Sequence, residues 1–288
     1  MIAERHYISV PEPESEGHFH RAPKSPYNPP EKFFSVCAEG FFQNPDKIRD
    51  FGLSLPSRAD SIGRWPGTRT PRLDALDQSL ANLIVIKILG CYFDLVYESI
   101  GWDSCLMSFQ KVSKLDEDKN SIKNKGWVHQ DSSCDIAAIV YLTPNIDPDT
   151  GTSLFNVRKG KEENVFLSND VPDKRLLYTN EKIDTATYEN NYRKHEENYI
   201  ETARFQNIYN RLVVYDAQSY HRANSFYSDG EDRLTLVTFV NGIKSTQMPL
   251  QRVRGGQSSN IDQVIEKNME NMEIPPEESL QYAPKPSI

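Results

Sequence analysis

The sequence predicts a mainly β domain with flanking helices, an antiparallel sandwich or jelly roll that preceding helices support. Two observations predict this class. Between about residues 104 and 241, short segments rich in β-branched and aromatic residues are separated by turn residues. Before them, between about 41 and 98, apolar residues recur at three- and four-residue spacing. We expect a single domain over residues 31–250, since β-rich folds often reach this length as one unit.

The composition is that of a folded, acidic protein. Its 288 residues include 33 Lys and Arg against 41 Asp and Glu, which gives a net charge of −8. The acidic balance makes nucleic acid an unexpected partner, because such binders need a concentrated cationic face. We expect no membrane span and no signal peptide, because no apolar run is long enough for either. With four widely spaced cysteines, the sequence favours a reduced, cytoplasmic protein of unspecified oligomeric state.

Both ends are expected to extend from the folded body. Prolines cluster in residues 1–30, which predicts an extended arm. Residues 251–288 begin with a Gly- and Ser-rich linker, and they predict a tail that holds one short helix.

Two helices are predicted in the support at 41–98. The first begins at the Asn-Pro-Asp run at 44–46, which places proline at the first helical position, and ends near Ser54. The second covers about 71–89, where leucines form an apolar stripe. The turn at 64–69 between them presents two arginines and an indole.

Five strands are predicted in the β region at 104–241. Their sequences are CLMSFQKV at 105–112, DIAAIVYLT at 135–143, GTSLFNV at 151–157, NRLVVYDA at 210–217 and RLTLVTFVNG at 233–242. A charged stretch at 158–208 interrupts them. It is too long for a hairpin turn, so we predict a partly helical insertion over one face, with His195 in solvent.

A metal site is predicted from two histidines and one aspartate. His129 and Asp131 are two residues apart, so both side chains leave the same face of an extended segment. His221 follows a later strand by a short turn. Two imidazoles and one carboxylate form the facial triad of non-haem Fe(II) oxygenases, which leaves half the coordination sphere open. An HxD pair also arises by chance, so the alternative is a core histidine beside a turn aspartate.

The order and spacing of these segments resemble the 2-oxoglutarate- and Fe(II)-dependent dioxygenase superfamily, in its prolyl-4-hydroxylase-like or phytanoyl-CoA-hydroxylase-like branches. The resemblance rests on five motifs over residues 104–241: HxD, a strand ending in YLT, GTxxF, LVVY followed by a histidine, and RLTL. It implies a double-stranded β-helix (jelly roll). It also implies that His129, Asp131 and His221 bind Fe(II), and that 2-oxoglutarate and O₂ are co-substrates. The retained carboxylate implies hydroxylation rather than halogenation.

The resemblance also implies a co-substrate site. Arg233 matches the basic residue that pairs with the distal carboxylate of 2-oxoglutarate, Tyr141 matches a tyrosine that hydrogen-bonds it, and Thr235 shares the face of Arg233. The chain departs from the pattern at Phe109, which aligns with a co-substrate ligand yet cannot donate a hydrogen bond. Either neighbour, Ser108 or Gln110, is the candidate replacement.

The expected activity is oxidative decarboxylation of 2-oxoglutarate to succinate, coupled to hydroxylation of an amino acid, peptide or small metabolite. The candidate substrate contacts are arginines and one tryptophan near the predicted mouth, namely Arg64, Trp65, Arg69, Arg158 and Arg222. Two alternatives stay open: a non-catalytic jelly-roll metal-binding module, and a cupin-like metalloenzyme that does not use 2-oxoglutarate.

Overall fold

The structure is a computed structural model that describes residues 33–96, 99–131, 134–162, 172–245 and 259–281. The predicted arm at 1–30 lies outside the described residues. Within these ranges the helices are α1 (Pro45–Ser54), α2 (Leu73–Leu76), α3 (Gln78–Leu89), α4 (Pro172–Tyr178), α5 (Thr185–Glu196) and α6 (Ser259–Glu270). No helix in this part of the chain combines the length and the apolar character needed to cross a membrane.

The strands pair antiparallel throughout the described ranges. They are β1 (Val36–Ala38), β2 (Arg58–Ala59), β3 (Thr68–Arg69), β4 (Ile100–Gly101), β5 (Ser104–Val112), β6 (Ile136–Tyr141), β7 (Thr152–Val157), β8 (Tyr199–Phe205), β9 (Leu212–Asp216), β10 (Tyr220–Ala223), β11 (Arg233–Asn241) and β12 (Lys244–Ser245). Seven of them form a major sheet in the order β1-β9-β6-β11-β5-β3-β2, three form a minor sheet in the order β10-β7-β8, and β12 pairs with β4.

The path of the chain makes these two sheets a jelly roll. After β5 and β6 in the major sheet, the chain crosses to β7 and β8 in the minor sheet. It returns to the major sheet for β9, crosses again for β10 and comes back for β11. The predicted fold class, mainly β with flanking helices, is therefore confirmed.

Strand alternation divides the major sheet into two faces. Its outer face carries residues such as Phe109, Val140 and Leu236, which pack in one hydrophobic cluster with the helices. Its inner face, which includes Ser108 and Val237, lines a cavity between the two sheets. Side chains of successive residues leave opposite faces of a strand, so one sheet serves both the core and the site.

The N-terminal helices match their predicted positions with one difference. α1 begins at Pro45 and ends at Ser54, as predicted. The predicted helix at 71–89 is two helices, because Asp77 adopts an extended conformation between α2 and α3. Its carboxylate accepts a hydrogen bond from the backbone N–H of Leu80 at 3.0 Å. An aspartate that caps the second helix in this way favours a break over a continuous helix.

The charged stretch at 158–208 differs from a simple insertion. It contains α4 and α5, but its last part forms β8, which pairs with β7 at the edge of the minor sheet. Two of the four exposed residues of β8, Glu201 and Arg204, carry charge, and the strand follows a long charged run that hides it in the sequence. The predicted tail also differs, since Ile265 of α6 is fully buried in the main hydrophobic cluster beside α1 and α3.

Candidate metal and co-substrate site

The predicted metal ligands come together at one end of the cavity. His129 and His221 form an isolated antiparallel bridge, with N–H to carbonyl distances of 3.0 and 2.9 Å. The Asp131 N–H donates to the carbonyl of Ala217 at 2.8 Å, which fixes the segment beside β10. One ligand atom from each of the three side chains lies within 4.8 Å of the others. The Asp131 carboxylate is 3.2 Å from Nε2 of His221 and 3.8 Å from Nε2 of His129.

Backbone carbonyls hold both imidazoles in the tautomer that metal binding requires. Nδ1 of His129 donates to the carbonyl of Trp127 at 2.8 Å, and Nδ1 of His221 donates to the carbonyl of Ser219 at 2.9 Å. A carbonyl only accepts, so each Nδ1 carries the proton. Each Nε2 then presents its lone pair toward the Asp131 carboxylate. A hydrogen bond from the other ring nitrogen to a backbone carbonyl is typical of metal-binding histidines.

The charge states of these groups also fit a divalent cation. Burial by itself would raise the pKa of Asp131, but the neighbouring His221 and His129 lower it to about 2. Burial, His221 and Lys174 together hold the pKa of His129 well below its usual value. At neutral pH the trio therefore offers an ionised carboxylate together with the lone pair of His129. This donor set fits Fe(II).

The cavity beside the trio has a volume of about 330 Å³. Its wall on the major sheet follows the two-residue alternation of β5, β6 and β11, with Ser104, Leu106, Ser108, Gln110, Ala137, Ile139, Arg233, Thr235, Val237, Phe239 and Asn241. The minor sheet contributes His221 and Thr152. The site therefore lies in a half-open cavity between two sheets, where electrostatic interactions are stronger than in bulk water.

Arg233 lies in the cavity wall, and only 4% of it is exposed. Its Nε donates to the carbonyl of Thr150 at 2.9 Å, and its guanidinium carbon is 5.5 Å from the ring centroid of Tyr141. Burial lowers the pKa of Arg233. Among the described residues no carboxylate forms an ion pair with it. A buried guanidinium without a counter-ion is costly, so this position favours an anionic ligand.

The other predicted co-substrate residues are placed unequally. Thr235 is fully buried in the cavity wall, and its hydroxyl has no hydrogen-bond partner within the described ranges. The hydroxyl of Tyr141 donates to Thr152 at 2.9 Å, and its ring lies beside the Arg233 guanidinium. Tyr141 pairs with Thr235 across β6 and β11, so both side chains share the inner face of the major sheet, and the part of Tyr141 in co-substrate binding stays a prediction.

The departure at Phe109 is explained by strand alternation. Phe109 lies on the outer face of β5, with its ring centroid 6.0 Å from that of Phe51. Ser108 and Gln110 both face the cavity. Both candidate replacements therefore lie on the cavity side of β5, and Phe109 does not.

Three of the five predicted substrate contacts line the cavity. Arg64 is ion-paired with Asp60 at 2.8 Å and stacks on the Trp65 indole at 4.6 Å. Arg69 stacks on the same indole at 4.4 Å, and its Nη2 donates to Gln110 at 3.3 Å. Burial lowers the pKa of Arg69 to about 10.

The other two lie away from the cavity, contrary to the expected placement at its mouth. Arg222 follows His221 on β10, so alternation directs its side chain to the opposite face of the minor sheet. There it pairs with Glu196 at 3.3 Å and lies over the Phe155 ring. Arg158 follows β7 and is exposed.

Sequence reasoning missed the contribution of the charged stretch. Lys174 of α4 is buried and lines the cavity near the trio. His195 of α5 is also buried rather than solvated, and its ring nitrogen Nε2 contacts the carbonyl of Val128 at 2.9 Å. The indole of Trp127 donates to the Tyr188 hydroxyl at 3.0 Å. These helices therefore brace the backbone that carries His129, and the abundance of charge in their sequence hides this role.

Comparison with known proteins gives one family and several distant structures. No protein of curated function matches the chain. HygX from Streptomyces hygroscopicus, solved with nickel, 2-oxoglutarate and hygromycin B bound, is 12% identical with a TM-score of 0.42, over 72% of this chain and 82% of that one. A prolyl hydroxylase from Trichoplax adhaerens, in complex with a hypoxia inducible factor peptide fragment, is 13% identical with a TM-score of 0.39, over 72% and 83%. A Pseudomonas putida prolyl-4-hydroxylase is 12% identical with a TM-score of 0.34, over 72% and 91%.

The family match covers most of the folded body. The profile of a family of unknown function, DUF6445, matches residues 31–239. This range includes His129, Asp131, His221 and Arg233, together with the strands of both cavity-forming sheets except the last two residues of β11. The chain therefore belongs to the DUF6445 family.

Proposed function

We propose that this protein is an Fe(II)- and 2-oxoglutarate-dependent dioxygenase that hydroxylates an amino acid, a peptide or a small metabolite. One observation carries the proposal. His129, Asp131 and His221 converge at a cavity whose wall also holds Arg233, a buried guanidinium with no ion-pair partner in the described ranges. A metal trio alone fits many functions, but a metal trio with an unpaired buried cation fits a chelating dicarboxylate.

Each side chain has a distinct part in this proposal. The trio would hold Fe(II) on one side and leave the positions facing the cavity open for ligands. Bound Fe(II) would supply the O₂-activating chemistry, which oxidises 2-oxoglutarate to succinate and CO₂ and also hydroxylates the substrate. Arg233 would neutralise the distal carboxylate of 2-oxoglutarate, and the Thr235 hydroxyl would donate a hydrogen bond to it.

The surroundings of Arg233 support its role as an anchor. Its Nε is already fixed by the Thr150 carbonyl and its planar group rests on the Tyr141 ring, so the remaining N–H groups are oriented before a ligand arrives. Orientation in advance lowers the entropic cost of binding. A metal-binding module does not require this buried cation, and a metalloenzyme without 2-oxoglutarate would need it only for another anionic ligand.

The experiment is an anaerobic titration of the Fe(II)-loaded protein with 2-oxoglutarate. We expect a charge-transfer absorption band on binding, and succinate after O₂ is admitted. Arg233→Met should raise the concentration of 2-oxoglutarate needed for the band by about 10- to 100-fold, as expected for loss of a charged hydrogen-bonded contact. Fe(II) affinity should not change, because Arg233 is not a ligand.

Arg158→Met is the matched control, since Arg158 is exposed and lies away from the cavity. It should bind 2-oxoglutarate like the wild type. Metal binding without the band and without succinate would indicate a metal-binding module or an enzyme that does not use 2-oxoglutarate. An unchanged requirement in Arg233→Met would assign the anchor to another residue.

A further inference from the structure

The cavity carries more positive charge than the proposed co-substrate accounts for. Its wall includes the cationic residues Arg64, Arg69, Arg72, Lys174 and Arg233. Its one carboxylate among the described lining residues is Asp131, a proposed metal ligand. This excess stands out in a chain of net charge −8.

Two of these cationic side chains form ion pairs with carboxylates. Arg64 is paired with Asp60 and Arg72 with Asp74. Lys174 lies near the trio, where it lowers the pKa of Asp131. In the described part of the chain, Arg69 and Arg233 form no ion pair. The proposed function uses Arg233, and it leaves Arg69 without a direct ion pair, although the nearby carboxylates of Asp131 and Asp60 attract its charge.

The neighbours of Arg69 orient its side chain for binding a ligand. Its guanidinium stacks on the Trp65 indole, and its Nη2 donates to the neutral oxygen of Gln110 at 3.3 Å. The Gln110 amide in turn donates to the Pro66 carbonyl at 2.9 Å, which ties the turn to β5. Nε of Arg69 and Nε1 of Trp65 are both buried without an acceptor among the described residues. Buried donors without acceptors are costly, so this pair favours a ligand that supplies acceptors.

Arg69 and Arg233 serve different regions of the cavity. The Arg69 guanidinium lies 5.9 Å from the ring centroid of Phe239, whereas that of Arg233 lies over Tyr141. Phe239 pairs with Ala137, which is four residues before Tyr141 on β6. Four residues of strand span about 13 Å. The distal carboxylate of a dicarboxylate bound at Arg233 therefore lies on a different part of the sheet from Arg69 and does not neutralise it.

The cavity wall also has an apolar part, and its Phe239 lies beside Arg69. Leu106, Ile139, Val237 and Phe239 line the cavity on the inner face of the major sheet. The total volume of about 330 Å³ is near the lower limit for small-molecule sites and also has to hold the co-substrate. A ligand at Arg69 is therefore small and has an apolar body.

We propose that the primary substrate is a small carboxylic acid with an apolar body, whose carboxylate is bound by Arg69 and the indole N–H of Trp65. The identification of this ligand as the substrate rests on the proposed function, but the carboxylate-binding site itself does not depend on that function. A single unpaired guanidinium balances one negative charge, which favours a carboxylate over a phosphate dianion. The planar fork of arginine matches the two oxygens of a carboxylate.

The test uses phenylacetate as the probe, with neutral phenylacetamide and dianionic phenyl phosphate for comparison. Binding is followed by tryptophan fluorescence of the Ni(II)-loaded protein in saturating 2-oxoglutarate, because Trp65 contacts Arg69 directly. We expect phenylacetate to bind roughly tenfold or more tightly than phenylacetamide. Arg69→Gln should remove this preference, Arg69→Lys should retain part of it, and Arg158→Gln should leave it unchanged.

A second measurement separates this inference from the proposed function. In Arg69→Gln, the thermal stabilisation by Ni(II) and 2-oxoglutarate should stay as in the wild type, which also shows that the variant is folded. Loss of that stabilisation together with unchanged phenylacetate binding would make Arg69 the co-substrate anchor and would overturn the inference. Tighter binding of phenyl phosphate than of phenylacetate would overturn the carboxylate class.

Failure of the proposed function gives a different pattern. Wild-type protein would then show no stabilisation by 2-oxoglutarate, while phenylacetate binding that depends on Arg69 would still support the carboxylate site. Phenylacetate binding that does not depend on Arg69 would overturn the inference, whatever the response to 2-oxoglutarate.

Discussion

Substitution of Asp131 by alanine gives the most direct test of the metal site. The Asp131 carboxylate lies 3.2 Å from Nε2 of His221 and 3.8 Å from Nε2 of His129, so it supplies the charged member of the trio. Loss of residues that merely orient a metal ligand costs about 10- to 100-fold in affinity. Loss of a ligand itself should therefore cost at least about 100-fold.

This change in affinity converts into a measurable thermal shift. At a metal concentration 100 times its Kd, wild-type protein gains about 2.7 kcal/mol of unfolding free energy. A variant with 100-fold weaker affinity gains about 0.4 kcal/mol at the same concentration. Since 1 kcal/mol moves the Tm of a domain of this size by about 2–4 °C, the metal-induced shift should fall from about 5–11 °C to about 1 °C.

The assay is a thermal melt with and without Ni(II), which resists oxidation in air. Comparing each variant with its own metal-free form cancels any effect of the substitution on folding. Asp50→Ala is the control, because its side chain is 74% exposed and lies on α1. A full metal-induced shift in Asp131→Ala would refute the proposed ligand set, and a lost shift in Asp50→Ala would show that the assay does not report on the cavity.

Three further predictions concern pH, packing and metal removal. Burial lowers the pKa of His195 to about 4 from 6.5, so the unfolded chain binds an extra proton between these values. The contribution of His195 to stability is complete above pH 6.5 and falls by up to about 3 kcal/mol toward pH 4. The unfolding free energy of His195→Gln, measured in urea, should therefore depend less on pH than that of the wild type. The same pH dependence in both proteins would contradict this. Phe109→Ala should cost about 3–5 kcal/mol of unfolding free energy in chemical denaturation, because Phe109 packs in the core. Ser108 faces the cavity, so Ser108→Ala should cost less than about 1 kcal/mol in the same assay. Equal costs would contradict the assignment of faces. EDTA should lower the Tm of the metal-loaded wild type to its metal-free value and that of Asp131→Ala by only about 1 °C; an equal fall in both proteins would contradict the ligand set.

Local patterns in the sequence were sufficient for the main elements. β5 and β11 follow runs of β-branched and aromatic residues, and the Asn-Pro-Asp run marks the start of α1. The spacing of His129 and Asp131 was also sufficient to place both on one face. These features depend on residues only a few positions apart, so they can be read from a short stretch of chain.

Other features lacked a readable local signal. The charged stretch conceals β8, whose pairing with β7 decides its structure. Its helices also conceal Lys174 and His195, because their burial depends on the strands beneath them. The break between α2 and α3 at Asp77 also lacked a clear signal, because the apolar stripe continues across it.

The strand-rich fold class, the residue types of the proposed metal trio and the alternation of faces along each strand could all be predicted from the sequence alone. Which face is inside became clear only from the packed sheets, where Arg233 and Arg69 line the cavity, Arg222 lies on the opposite side of the minor sheet and Phe109 packs in the core. It also brought His129 and His221 into one backbone bridge across a separation of 92 residues. Alternation is a property of each strand alone, whereas an inner face exists only after two sheets have packed together.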